Sequence, residues 1–149
     1  MTRFSSLTAV FVATIFLIAV VAHGQATKQT KQCFDKNKPF EILNSKKGIT
    51  DQSSDKDTTI CKNWTIPQTI IPSIIKDSKV ITGTEWHDYF SVYRCIIYGQ
   101  LYQNGQTYKY EINGGSWMFI FCNGQAIILG DYKKEHEKYF LSNAWDGNE

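Results

Sequence analysis

The chain has 149 residues, with 16 Lys and Arg against 14 Asp and Glu, three His and four Cys. That is one domain's length, enough to build a core. The charges balance and alternate in sign, which excludes the clustered basic face of a nucleic-acid binder. No metal-ligand spacing or nucleophile elbow occurs, so the sequence points to no metal, no cofactor and no catalytic set.

Residues 1–24 read as a signal peptide. Arg3 supplies the positive start, Leu7 to Ala22 is almost unbroken apolar sequence, and Ala22-His23-Gly24 offers small residues for cleavage before Gln25. The apolar run is shorter than the ~20 residues of a membrane span. The expected product is exported, periplasmic or secreted, with no membrane association after cleavage. Cleavage leaves 125 residues and 15 basic against 14 acidic side chains.

Residues 25–60 are polar and poor in large apolar side chains, and predict a partly disordered arm before a single domain over 61–149. Its lysines, Lys28, Lys31, Lys36 and Lys38, fit a solvated arm better than a phosphate site. Asn63-Trp64-Thr65 is a glycosylation sequon. From Trp64 to Lys76, Ile66, Ile70, Ile71, Ile74 and Ile75 recur at helical spacing, predicting a short helix near 68–76 whose isoleucines cover a sheet. Lys79 to Thr82 reads as a short strand, and Gly83 as a turn.

The strongest pattern runs from Tyr89 to Gly130. Asn104-Gly105 and Asn123-Gly124 each lie between β-prone runs, and both central residues of a type I′ turn need positive φ. With the turn at Asn113-Gly114-Gly115-Ser116 between them, they predict a four-stranded antiparallel meander over about 90–102, 107–113, 117–122 and 125–130. The Gly-Gly-Ser turn could imitate a phosphate nest, but it lacks the lysine and helix of a phosphate loop.

The first hairpin's register follows from its turn. Leu101 falls opposite Tyr108, Ile97 opposite Ile112 and Gly99 opposite Tyr110, whose ring can cover the gap left by the glycine. Tyr93, Cys95, Ile97, Leu101, Tyr108, Tyr110 and Ile112 then form the core face. Arg94, Tyr98, Gln100, Tyr102, Lys109 and Glu111 share the outer face. Tyr and Arg are enriched at binding hot spots, so these six are the candidate partner-binding residues. An ordinary solvated sheet face is the competing reading. The second hairpin is apolar on both faces, so something must also cover it from outside.

Cys33, Cys61, Cys95 and Cys122 all follow the signal, and an even count in an exported chain predicts two disulfides. Cys95 starts the first strand of the meander, and Cys122 ends the third near the level of Tyr102. Seven residues of strand put them about 23 Å apart, whereas bonded Cα atoms lie within about 7 Å. Each should therefore bond to Cys33 or Cys61, with both such pairings open.

After Gly130, Asp131 can cap a short helix in which Tyr132, His136, Tyr139 and Phe140 share a face. His136 stands between Glu135 and Glu137, and His87 beside Asp88. Either histidine, with a carboxylate to orient it, could serve a small secreted hydrolase. His87, Arg94 and Glu111 could also be assembled into a ribonuclease-like trio.

The segments Cys95-x-x-x-Gly99, Asn104-Gly105, Tyr108-x-Tyr110-x-Ile112-Asn113-Gly114-Gly115-Ser116-Trp117 and Lys138-Tyr139-Phe140 resemble a group of small exported bacterial proteins of uncharacterised function. The resemblance spans about Cys61 to Phe140 and rests on strand and turn residues. It implies an α+β fold: the meander, covered by a short N-terminal helix, with a short C-terminal helix. By analogy of class it implies a non-enzymatic immunity protein or hydrolase inhibitor whose partner is another protein.

Overall fold

The computed structural model describes residues 33–50 and 55–145. The expected signal peptide, and the expected arm up to residue 32, lie outside the described residues.

Six strands form one antiparallel sheet: β1 (Glu41–Ile49), β2 (Lys79–Val80), β3 (Cys95–Gln103), β4 (Gln106–Asn113), β5 (Trp117–Cys122) and β6 (Gln125–Gly130). Their order is β1-β3-β4-β5-β6-β2. The expected four-stranded meander is thus corrected to the centre of a larger sheet, flanked by β1 on one side and β2 on the other.

Within the meander the expected register holds. Leu101 pairs with Tyr108, Ile97 with Ile112, Gly99 with Tyr110, and Phe119 with Ile128. Asn104 and Asn123 adopt φ of 51°, and Gly105 and Gly124 adopt 78° and 79°, as type I′ turns require.

β1 comes from the stretch that reads as a polar arm. It pairs Ile49 with Cys95, Lys47 with Ile97, Ser45 with Gly99 and Ile42 with Leu101. Its inward face therefore carries Ser and Lys between two isoleucines, and the register shift between Ile42 and Asn44 breaks the period-two pattern. β2 contributes only two residues, paired with Leu129 and Gly130.

The core lies between one face of the sheet and the helices. Ile71, Ile74 and Ile75 of α2 (Ile71–Asp77) are fully buried against Ile97, Leu101, Ile112, Met118 and Ile120, as the isoleucine spacing predicts. Pro72 falls in the first turn of α2, where a missing N–H costs nothing. α1 (Asp55–Asn63) brings Cys61 to this face.

Cys61 bonds Cys95 and Cys33 bonds Cys122, with Cα atoms 5.0 and 5.7 Å apart. One of the two open pairings is thereby realised, and each bridge joins the N-terminal half to the meander. Two lysines of the polar stretch also tie that half down. Lys47 Nζ donates to the Lys62 carbonyl at the end of α1, and Lys36 Nζ to the Lys76 carbonyl near the end of α2, each at 2.7 Å. Gln103, buried, exchanges two hydrogen bonds with the Asp35 backbone, at 2.9 and 2.8 Å.

A second, smaller core covers the outer face of β5 and β6. Residues 83–89, read from the sequence as following a turn, form α3 (Gly83–Tyr89). It starts with a reciprocal capping box: Glu85 N–H donates to Thr82 Oγ1, and the Glu85 carboxylate accepts from Thr82 N–H at 2.7 Å. Those bonds hold the Glu85 carboxyl below its ordinary pKa. Trp86 packs on Trp117 and Phe119, with ring centroids 5.1 and 5.8 Å away. Ile81, Phe90 and Tyr132 complete the cluster. The C-terminal helix is a 3-10 helix, Lys134–Tyr139.

Candidate functional site: the open outer face of the sheet

α3 covers only the β5–β6 side of the outer face. Over β1, β3 and β4 that face lies open as a groove of about 780 Å³ lined by Asn44, Lys46, Ile96, Tyr98, Gln100, Lys109, Glu111 and Phe121. Strand alternation sets the side chains out in two rows across the sheet. One row runs Lys46, Tyr98, Glu111, Phe119; the next runs Asn44, Gln100, Lys109, Phe121.

Four of the six candidate residues, Tyr98, Gln100, Lys109 and Glu111, line this groove. Tyr102 shares their face one step nearer the hairpin tip, opposite Thr107, and is exposed. Arg94 precedes β3; its carbonyl accepts from Thr50 N–H, and it does not line the groove. Sequence reasoning missed Asn44 and Lys46, because β1 was not legible. Phe121 belongs to the second hairpin, opposite Ala126, and the β4–β5 register also sets it beside Lys109.

The rings at the groove are left partly in water. Tyr98 and Phe121 are each 42% exposed. Phe121 ends a ladder in which Trp117, Phe119 and Phe121 project from the same face of β5, with centroids 4.8 and 6.0 Å apart. The ladder starts in the small core and runs out into the open groove. Tyr98 lies over Gly48, where a Cβ would come within 2.9 Å of its ring.

The polar groups differ in how they are held. Asn44 Nδ2 donates to Gln100 Oε1 at 3.2 Å, which orients both amides. Glu111 is half-buried, and burial pushes its carboxyl above the ordinary glutamate pKa. Among the described residues it has no hydrogen-bond or ion-pair partner; Lys46 and Lys109 are exposed and do not reach it.

The other candidate chemistry lies apart from the groove. His87 is on α3 with its side chain 84% exposed, and its Nδ1 lies 2.9 Å from Asp88 Oδ1. His136 is buried; its Nδ1 is 2.6 Å from Asp131 Oδ2, and its Nε2 is 3.9 Å from Asp77 Oδ2. Burial raises the Asp131 carboxyl above its usual range, against the lowering effects of the Lys133 N–H and His136. Glu135 and Glu137, the sequence neighbours, are not the partners of His136. Among the described residues no hydrogen bond joins either imidazole to a hydroxyl or thiol.

The turn at Asn113 to Ser116 is consumed by internal bonds. Asn113 Oδ1 accepts from Tyr93 and Gly115 N–H at 3.0 Å each, and Gly114 N–H donates to the Cys95 carbonyl. Gly115 passes so close to the Ser91 carbonyl that a Cβ would collide with it. These amides are buried and spent, so the turn presents no anion nest.

Among the described residues no three His, Cys, Asp or Glu side chains converge as a metal site, and no helix is long and apolar enough to cross a membrane. The two disulfides suit an oxidising, extracytoplasmic environment. No protein family matches the chain, and no curated protein or solved structure is similar to it.

Proposed function

We propose that the chain is an exported, non-enzymatic binding protein, periplasmic or secreted and of the immunity-protein or inhibitor kind. It would engage another protein through the groove over β1, β3 and β4. One observation carries this reading: four side chains that the core does not need, Tyr98, Gln100, Lys109 and Glu111, converge with Phe121 on an open groove of about 780 Å³. Half-exposed rings set among hydrogen-bonding groups have the composition of a binding hot spot.

The hydrolase reading gains less support. The buried His136 imidazole faces the buried Asp131 and the partly exposed Asp77, and His87 stands in open solvent beside Asp88. The test is affinity capture from the envelope extract of the source cells, using wild type and the Tyr98→Ala/Phe121→Ala variant side by side. A partner retained by wild type and lost by the variant supports the reading. A partner retained equally by both overturns it.

A further inference from the structure

Among the described residues, Glu111 is the one acidic side chain lining the groove. It sits on β4, directly across from Tyr98 on β3 and Phe119 on β5. Half withdrawn from water, it has no bonding partner among the described residues. A carboxylate in that position has lost hydration that nothing among the described residues replaces.

We propose that Glu111 is the anchor of a subsite for one basic side chain, an arginine presented by an extended segment of the protein partner. This rests on the groove being the binding face. The guanidinium would meet the carboxylate as a charge-assisted pair. The half-exposed rings of Tyr98 and Phe121 stand beside it, able to take the planar cation and the apolar stem.

Lys46 and Lys109 set the surroundings. Lys109 lies two residues along β4 on the same face, and Lys46 lies beyond Tyr98 on β1. Both are exposed. They repel a uniformly basic surface and attract acidic groups that flank the arginine. Gln100, held by Asn44, leaves its amide N–H groups for a backbone carbonyl of the segment. A segment running along β4 thus carries one arginine with an acidic residue two positions away, toward Lys109, the spacing at which side chains of an extended chain share a face; an acid on each side serves either direction of the segment.

The test uses a capped Asp-Ala-Arg-Ala-Asp peptide, titrated into the isotopically labelled protein and followed by amide chemical shifts. Two control peptides are needed: one with neutral, isosteric citrulline in place of arginine, and a charge-reversed Lys-Ala-Glu-Ala-Lys. The expected result is saturable shifts centred on Tyr98, Glu111 and Phe121, with affinity falling about tenfold or more for citrulline and for Glu111→Gln. Three outcomes overturn the proposal: no saturable binding of the arginine peptide, equal binding of the citrulline peptide or by Glu111→Gln, or tighter binding of the reversed peptide. The captured partner separates the two claims. Loss with Tyr98→Ala/Phe121→Ala but full retention by Glu111→Gln defeats the subsite and leaves the groove. Retention by Tyr98→Ala/Phe121→Ala defeats the groove itself.

Discussion

Glu111 stands directly across the β3–β4 ladder from Tyr98, on the face that the helices of the main core do not cover. The same ladder, one residue on, sets Ile112 beside Ile97 in the core. A strict alternation therefore separates residues that hold the fold from residues that face the groove, and substitutions on the two faces should differ in kind.

The Glu111 carboxyl is costly where it stands. Its native pKa is raised, so between the ordinary carboxylate range and that raised value the folded state holds more proton than the unfolded one. Its contribution is fully favourable below the unfolded pKa and is lost as pH rises through the native one. Glu111→Gln should therefore be more stable than wild type at neutral pH, by about 0.5 kcal/mol for a partly solvated group. The difference should shrink in acid. Urea unfolding at pH 7 and pH 3.5 measures both, and an equally or less stable variant at pH 7 would show that the carboxylate carries no cost to the fold.

Gly99 has no room for a side chain. A Cβ there would strike the Asn44 carbonyl, which the β1 register shift carries inward and which accepts from Tyr110 Oη at 2.9 Å. Gly99→Ala should cost about 1–3 kcal/mol through overpacking. Thermal or denaturant unfolding would show it, and a neutral effect would mean that β1 shifts freely on β3.

The buried His136–Asp131 pair should be structural. Asp131 also accepts from the Lys133 N–H at 2.8 Å, so one carboxylate organises the entry to the 3-10 helix. His136→Ala leaves that carboxylate buried without its imidazole and should cost about 3 kcal/mol. Partner affinity should be unchanged in the folded fraction. A variant of normal stability that has lost all activity would instead favour the hydrolase reading.

Each disulfide should matter to a similar degree. Loops of 89 and 34 residues separate the bonded cysteines, and the chain-entropy account gives about 4 kcal/mol for closing either one. Cys61→Ser/Cys95→Ser and Cys33→Ser/Cys122→Ser should each unfold at much lower denaturant than wild type. The loops are nested, so each bridge shortens the loop that the other closes, and removing both should cost more than the sum of the two single removals.

How far the sequence could be read depended on how local each signal was. The two Asn-Gly turns fix φ at neighbouring residues, so strands β3 to β6 and their register were legible down to Leu101 facing Tyr108. β1 was not, because a strand whose inward face reads Ile42, Ser45, Lys47, Ile49, broken by a register shift, carries neither alternation nor hydrophobic density. α3 did leave a signal in Thr82-Gly83-Thr84-Glu85, the capping-box pattern, which the glycine obscured. The groove was half legible for the same reason: residues of the first hairpin were placed on one face, while Asn44 and Lys46 waited on a strand that could not be seen.

The affinity of the captured partner for two variants tests the groove most directly. Tyr98→Ala/Phe121→Ala removes the two exposed rings and should raise Kd about a hundredfold or more, with the unfolding midpoint nearly unchanged. Ile97→Ala, one residue away but fully buried, should instead cost about 2–5 kcal/mol of stability. An unchanged Kd for the folded ring variant would contradict the assignment and move the binding face elsewhere, first to the exposed patch of Val80, Tyr89 and Trp145 at the opposite edge of the sheet.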